Sequence, residues 1–360
     1  MNQYLSDKFR VISLLSAILV LYIHSGFHDN EIQGMPINHI TQNVISGSLG
    51  SMAVPVFYIL SGFLFFLKVP SGMLSIFQKM RKRIHTILIP YLIGCTFCLL
   101  FFIATATLPG VSRFMNGEFS LLSLPLPELL WTTFVGEGHP LAFQLWFLQD
   151  LIVIVAFAPL LYIALTRMKW AFAILAFVAS IATSPTTSIA TSLFWFSLGG
   201  LIALSPSRDK IINLEISKSR NLLNRRNILI TSCLTFVIMP LLVKDVEIQW
   251  LSHSFRMLRI FLGIVSIWLL YDVFAGIDFK LSNNHILSTA CNYSFFIYLF
   301  HVPTLNVPRK IIVAILGKTS FGYLTSYLLS PFIFATVAII IGILLRRYAN
   351  KLFCIMTGGR

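Results

Sequence analysis

Apolar residues run along this chain in blocks of about 17 to 25, broken by short charged or Pro/Gly-rich stretches. That is the length a helix needs to cross a hydrocarbon core of roughly 30 Å. The blocks fall at about 9–27, 44–67, 84–108, 145–165, 169–184, 188–205, 228–243, 256–275, 285–302 and 322–346. They predict an all-α, polytopic integral membrane protein with about ten transmembrane helices. The fifth and sixth blocks are short and joined only by Ser184, Pro185, Thr186 and Thr187, and the ninth has a polar start. Two longer polar segments interrupt the series. Residues 108–144 carry several prolines and glycines and are long enough to cover a substrate site. Residues 205–227, rich in Lys, Arg, Asn and Ser, read as a charged anchor. No solenoid-period repeat is visible and no soluble domain fits between the blocks, so residues 1–360 read as one membrane domain.

Charge distribution sets the expected orientation. With the N-terminus inside, the inner side receives Lys8 and Arg10, then Lys79 to Arg83, Arg167 and Lys169, Arg208 to Arg226, and Arg346, Arg347 and Lys351. The outer side receives Asp29, Glu31, Glu118, Glu128 and Glu137 with fewer cations. This asymmetry predicts both termini on the cytoplasmic side. Arg309 and Lys310, after the ninth block, are the local exception and a candidate site feature.

Composition agrees with the pattern: 57% of residues are hydrophobic, 11% are charged, and the mean hydropathy is +0.83. The net charge of +14 does not point to nucleic acid, because the cations sit in breaks between apolar runs rather than on a soluble face. The first block is too long for a signal-peptide core, which predicts a retained N-terminal tail. Five cysteines lie in or beside apolar runs; Cys95 and Cys98, three apart inside one, predict packing rather than a metal site, and no metal is expected.

The chemistry starts in the first block, RVISLLSAILVLYIHSG, from Arg10 to Gly26. At about 1.5 Å per residue, Arg10 and His24 would stand on the order of 21 Å apart, a cation near one face and an imidazole near the other. The expected topology puts Asp150, one turn into the fourth helix, and His301, closing the ninth, at the depth of His24. Intramembrane ionisable groups are costly unless they pair or line a wet cavity. His24 with Asp150 is therefore a candidate base with an orienting carboxylate. At the inner face, Lys79, Arg81, Lys82 and Arg83 precede the third helix, with Arg10 and Lys68 as further candidates; they suit lipid phosphates or those of a soluble donor. Pro90 should kink the third helix. Soluble-enzyme signatures such as GxSxG and HExxH do not occur. Ser61-Gly62 reads as a small-residue helix contact.

Several stretches together resemble the membrane acyltransferase-3 family: LVLYIHS, VPVFYILSGFLFF, KRIHTILIPYLI, LWFLQDLIV, LFWFSLGGLIAL and YSFFIYLFHVP, in the family's order. The resemblance implies a roughly ten-helix O-acyltransferase acting on cell-surface glycans. It places the family's first-helix histidine on His24 and its basic motif on Arg81, Lys82 and Arg83, followed by Pro90 and Tyr91. The aromatic motif falls on Trp146 and Phe147, and the late motif on Tyr298 and His301. The arginine that many members carry eleven residues before the histidine is here Ser13, with Arg10 one turn earlier, and Gln149 holds a position often charged. The expectation is a multi-pass inner-membrane enzyme moving acyl, most simply acetyl, from cytoplasmic acetyl-CoA or another acyl-CoA to a hydroxyl of a polysaccharide or lipid-linked sugar, with no permanently bound cofactor. His24 and Asp150 are expected to be catalytic. Arg10, Arg81, Lys82 and Arg83 are expected to bind acyl-CoA, and Trp146, Tyr298 and His301 the acceptor. The alternative is a transporter or flippase, since intramembrane His and Asp also serve proton relays.

Overall fold

The computed structural model describes residues 3–67, 73–107, 121–183, 189–206, 227, 229–230, 232–233, 249–275 and 281–359. Among them no strand occurs. The helices are α1 (Gln3–Ser25), α2 (Pro36–Gln42), α3 (Ala53–Phe66), α4 (Met73–Arg83) and α5 (Ile89–Thr107); then α6 (Leu126–Phe134), α7 (Trp146–Ala156), α8 (Ala158–Arg167), α9 (Trp170–Ala182) and α10 (Ile189–Leu204); then α11 (Gln249–Ala275), α12 (His285–Thr304), α13 (Asn306–Leu316), α14 (Ser320–Tyr348) and α15 (Asn350–Thr357).

Among the described residues, five stretches are long and apolar enough to span a membrane: Gln3–Ser25, Pro36–Phe66, Met73–Thr107, Trp250–Val273 and Ser320–Tyr348. Two bent pairs, Phe143–Ala156 with α8 at 70° and α12 with α13 at 56°, raise this to seven if each pair is one span. The expected ten is thus not reached among the described residues. α9 and α10 have 13 and 16 residues. At 1.5 Å per residue they are about 20 and 24 Å long, short of a roughly 30 Å core. Most of the expected span at 228–243 and most of the expected loop at 205–227 lie outside the described residues, as does Lys68.

Prolines shape the breaks. Pro159 stands in the first turn of α8 and Pro303 near the end of α12, where Val302 leaves helical geometry at φ −109° and ψ 134°. A residue before proline is pushed toward extended backbone by the ring, which is why Val302 turns out. Pro90, expected to kink its helix, follows a wide π-helical turn at Ile84–Leu88. Such a turn accommodates a helix ladder that has lost a donor.

The helices gather into two compact units, one of Met1–Leu19, Asn43–Met80 and Val153–Asn292, the other of Val20–Gln42, Arg81–Ile152 and Tyr293–Arg360. In the first, α3 and α10 touch backbone to backbone. A Cβ on Gly62 would lie 2.0 Å from the Phe196 carbonyl oxygen, and one on Gly199 would lie 2.0 Å from that of Ile59. The Ser61-Gly62 pair is therefore a helix contact. Lys8, 1% exposed, is buried against Asp272 at 2.7 Å and lies 3.8 Å from the centroid of the Trp268 ring, tying α1 to α11. Lys79 donates to the Phe65 and Leu67 carbonyls and so caps α3.

In the second unit, Gly94 lets the Leu145 and Leu299 side chains close on α5; a Cβ there would meet them at 2.7 and 2.9 Å. Gly358 (φ +66°) ends α15 against the backbone of Thr86 in the π turn. Cys95 and Cys98 are free and fully buried on α5.

The α3–α10 crossing is expected to be the least tolerant contact of the first unit. Gly62→Val or Gly199→Val should destabilise by about 1–3 kcal/mol or more through forced backbone separation. Thermal unfolding in detergent should show a clearly lowered midpoint, while Gly47→Ala, whose added Cβ comes no closer than 4.0 Å to any neighbouring atom, should leave it unchanged.

Candidate active site

The site is built where α1 ends. The ring of His24, half-buried, sits 5.2 Å from that of Phe143 and 5.0 Å from that of His301, centroid to centroid. Just past it the chain turns at Gly26, and the Gln42 side-chain oxygen accepts the Phe27 amide at 2.6 Å. A Cβ on Gly26 would press on that same oxygen at 2.9 Å, so glycine here keeps the turn after His24 tight.

His301 is 0% exposed. Its Nδ1 lies 2.6 Å from the Tyr298 carbonyl oxygen. A carbonyl only accepts, so Nδ1 carries the hydrogen and the neutral ring presents its lone pair at Nε2. Nε2 is buried without a hydrogen-bond partner among the described residues. Two imidazoles, one with its tautomer fixed by the backbone, therefore stand together.

Gln144 locks this pair to the helix break. Its side-chain Nε2 donates to the Val302 carbonyl at 3.0 Å, and its backbone carbonyl accepts the Tyr298 hydroxyl at 2.8 Å. Gln144 is 2% exposed. The neighbouring Phe143 reaches His24, so two consecutive residues join the first-helix histidine to the late one. Gln144 and Phe143 were not among the expected site residues. The available signal was a lone amide heading an apolar run, beside residues already singled out.

The expected site residues distribute as follows. Trp146 and Asp150 stand one turn apart on α7, both half-buried, and share a helix face. Tyr298 is buried and committed to Gln144. His301, expected to bind acceptor, is the residue set against His24. Arg81 and Lys82 are exposed and Arg83 half-buried at the end of α4. Arg10 belongs to the other unit, where it bonds Asn292 at 2.9 Å and pairs with Asp7 at 3.3 Å. Arg309, the exception in the charge pattern, stacks over the Phe27 ring at 4.2 Å and lies 3.9 Å from Glu31. It pins the segment that follows His24, which accounts for a cation on the less basic side.

Gln144→Leu would leave the Val302 carbonyl buried and unpaired. The expected cost is about 1–3 kcal/mol, read as a lower unfolding midpoint in detergent. Gln149→Leu, which removes a bond to the Val135 carbonyl at a half-buried position, should cost less.

The family model for acyltransferase-3, described as an acyltransferase domain, matches residues 11–347. Searches among curated proteins and solved structures gave no match. The family match runs across nearly the whole of a chain of apolar helices, and the protein belongs to the acyltransferase-3 family of membrane acyltransferases.

Proposed function

We propose that the chain is an O-acyltransferase of the inner membrane, both termini cytoplasmic, that takes an acyl group from cytoplasmic acyl-CoA and delivers it to a hydroxyl of a cell-surface or lipid-linked polysaccharide. Acetyl, from acetyl-CoA, is the simplest acyl group. The observation that carries the reading is the paired imidazoles of His24 and His301, one exposed enough to be reached and the other sealed behind it. The bias of Lys and Arg to one side supports the orientation.

In this reading His24 accepts the proton of the acceptor hydroxyl while the hydroxyl oxygen attacks the thioester carbonyl carbon. A C–O bond forms, the C–S bond breaks, and the CoA thiolate leaves and takes up the proton. If His24 first carries the acyl group, a C–N bond to the imidazole forms as the C–S bond breaks, and that C–N bond then breaks as the acceptor's C–O bond forms. His301, fixed by the Tyr298 carbonyl, positions His24. Asp150 and Trp146 share a face of α7, from which the carboxylate would tune an imidazole and the indole would wall the acceptor. Arg81, Lys82 and Arg83 hold the donor's phosphates, since guanidinium forks match phosphate oxygens and the two exposed members are accessible. Arg10 adds a further cation on the same side. No resident cofactor is required, as both substrates carry the groups exchanged.

The test is release of free CoA by purified protein given acyl-CoA and glycan from the source cell. His24→Ala should abolish it while the protein still folds; near wild-type release would end the assignment, and glycan uptake without CoA release would turn the reading to transport.

Donor binding should respond separately. Arg81→Glu with Arg83→Glu is expected to raise the apparent KM for acyl-CoA at least tenfold and to flatten its salt dependence, with acceptor KM little changed. Cysteine accessibility must confirm unchanged orientation in that variant, because reversed charges can flip a helix pair.

A further inference from the structure

A cavity of about 570 Å³ opens beside the His24 site within the same unit. It lies within the range of small-ligand pockets, roughly 300–1,000 Å³. Phe143, whose ring touches His24, forms part of its wall. The rest comes mainly from α6 and the turn after it, with Glu128, Trp131, Thr132, Glu137 and His139 among the lining residues.

The wall is held in shape before anything binds. The Val135 and Gly136 amides both return to the Trp131 carbonyl at 2.8 Å, and the Leu141 amide donates to the Thr132 carbonyl at 2.8 Å. Gly136 has φ +63°, and a Cβ there would lie 1.7 Å from the His139 carbonyl oxygen, so only glycine makes this turn. From α5, the Tyr91 hydroxyl bonds the Phe134 carbonyl at 2.5 Å. The loop is tied at both ends and its cavity is pre-formed, which reduces the ordering cost of binding.

The lining has a definite chemistry. Trp131, 56% exposed, offers a large ring that no described residue fully covers. Beside it stand two carboxylates, a hydroxyl and an imidazole, with no Lys or Arg among the described lining residues. Aromatic faces take the C–H face of a sugar ring, and carboxylates accept its hydroxyl hydrogens. Two carboxylates without a cation oppose an anion, which excludes the phosphates of acyl-CoA and disfavours acidic sugars.

We infer that this cavity is the acceptor's sugar subsite, taking an uncharged sugar residue next to the one whose hydroxyl meets His24, and that Glu128 and Glu137 reject anionic glycans. The inference rests on the acyl-transfer reading for its placement beside the reacting hydroxyl. Binding itself is independent of transfer.

The experiment measures binding of oligosaccharides to the full-length protein in nanodiscs, without acyl-CoA, by calorimetry and tryptophan fluorescence. Probes are neutral oligomers of hexose, N-acetylhexosamine and deoxyhexose, an oligogalacturonate as the anionic counterpart, and a glucosamine oligomer as the amine-bearing one. At least one neutral oligomer should bind, with a Kd raised tenfold or more by Trp131→Ala and largely restored by Trp131→Phe. Oligogalacturonate should bind at least tenfold more weakly, and Glu128→Gln with Glu137→Gln should narrow that gap. Trp131 is exposed, so its variants should fold, checked by the unfolding midpoint. Absence of any Trp131-dependent binding across the neutral panel overturns the inference. So does equal binding of the anionic oligomer to the unmodified protein, and so does binding confined to the glucosamine oligomer, which would mark a cation site. His24→Ala should keep the binding while losing transfer; binding retained in an unmodified protein that never releases CoA would sink the proposed function and leave the subsite standing.

Discussion

A proline two residues after an imidazole governs how the site is assembled. Pro303 pushes Val302 out of helical geometry, and the Val302 carbonyl leaves the ladder of α12 at a buried place. An unpaired buried carbonyl costs on the order of a hydrogen bond's desolvation, about 1–3 kcal/mol. Inside a membrane protein no bulk water repairs it. The Gln144 side chain supplies the donor from another part of the chain, and the Tyr298 hydroxyl donates in turn to the Gln144 backbone carbonyl. The exchange fixes the 143–144 segment against the end of α12, with Phe143 facing His24 and His301 behind it. The geometry of the candidate site is thus a consequence of repairing one broken helix.

This dependence explains what was legible beforehand. Apolar length located the long helices among the described residues, because in lipid every backbone group must be satisfied within its own segment. It did not locate bends, which depend on how neighbours absorb a lost donor. α3 belongs to a run that begins at Pro36, earlier than the expected 44, because the polar turn of α2 joins it in one continuous helical stretch. His24 was legible as an ionisable group ending a membrane helix. His301 was legible only by depth, as a group at the level of His24; that its ring stands 5.0 Å from that of His24 depends on how the helices face one another, which apolar length does not encode. Lys79 looked like a member of a phosphate cluster, yet it spends its donors on the end of α3. Arg309 looked misplaced by charge counting, which does not see Phe27 and Glu31.

The two units solve packing in different ways. In the first, small residues let the α3 and α10 backbones meet, a contact driven by dispersion between close surfaces. Among its buried charges is the Lys8–Asp272 pair, with indole beside the ammonium. Such a pair contributes little net stability, but removing one partner is costly because the other stays buried. It therefore fixes which face of α1 meets α11 more than it strengthens the contact. In the second unit, polar side chains join helix ends to breaks. Rigid backbone contact suits a scaffold, and polar repair at breaks suits a place where protons move.

One consequence concerns charge along the second unit. The cluster ending at Arg83 and the cavity wall at Phe102 lie on one helical stretch, Met73–Thr107. Nineteen residues separate them, about 28 Å at 1.5 Å per residue, close to the thickness of a hydrocarbon core. Cations stand at the first end and carboxylates line the cavity at the second. On the proposed reading the two substrates differ in the same sense: the donor carries phosphates and the acceptor is uncharged. A donor phosphate at the acidic cavity would meet carboxylates without a compensating cation, while a neutral sugar at the basic cluster would gain nothing from guanidinium forks. On that reading, opposite charge at the two ends would sort the substrates to their own sides. The acyl group, which is apolar and uncharged, is the one component with no electrostatic reason to stay at either end, and it is the component the reaction moves.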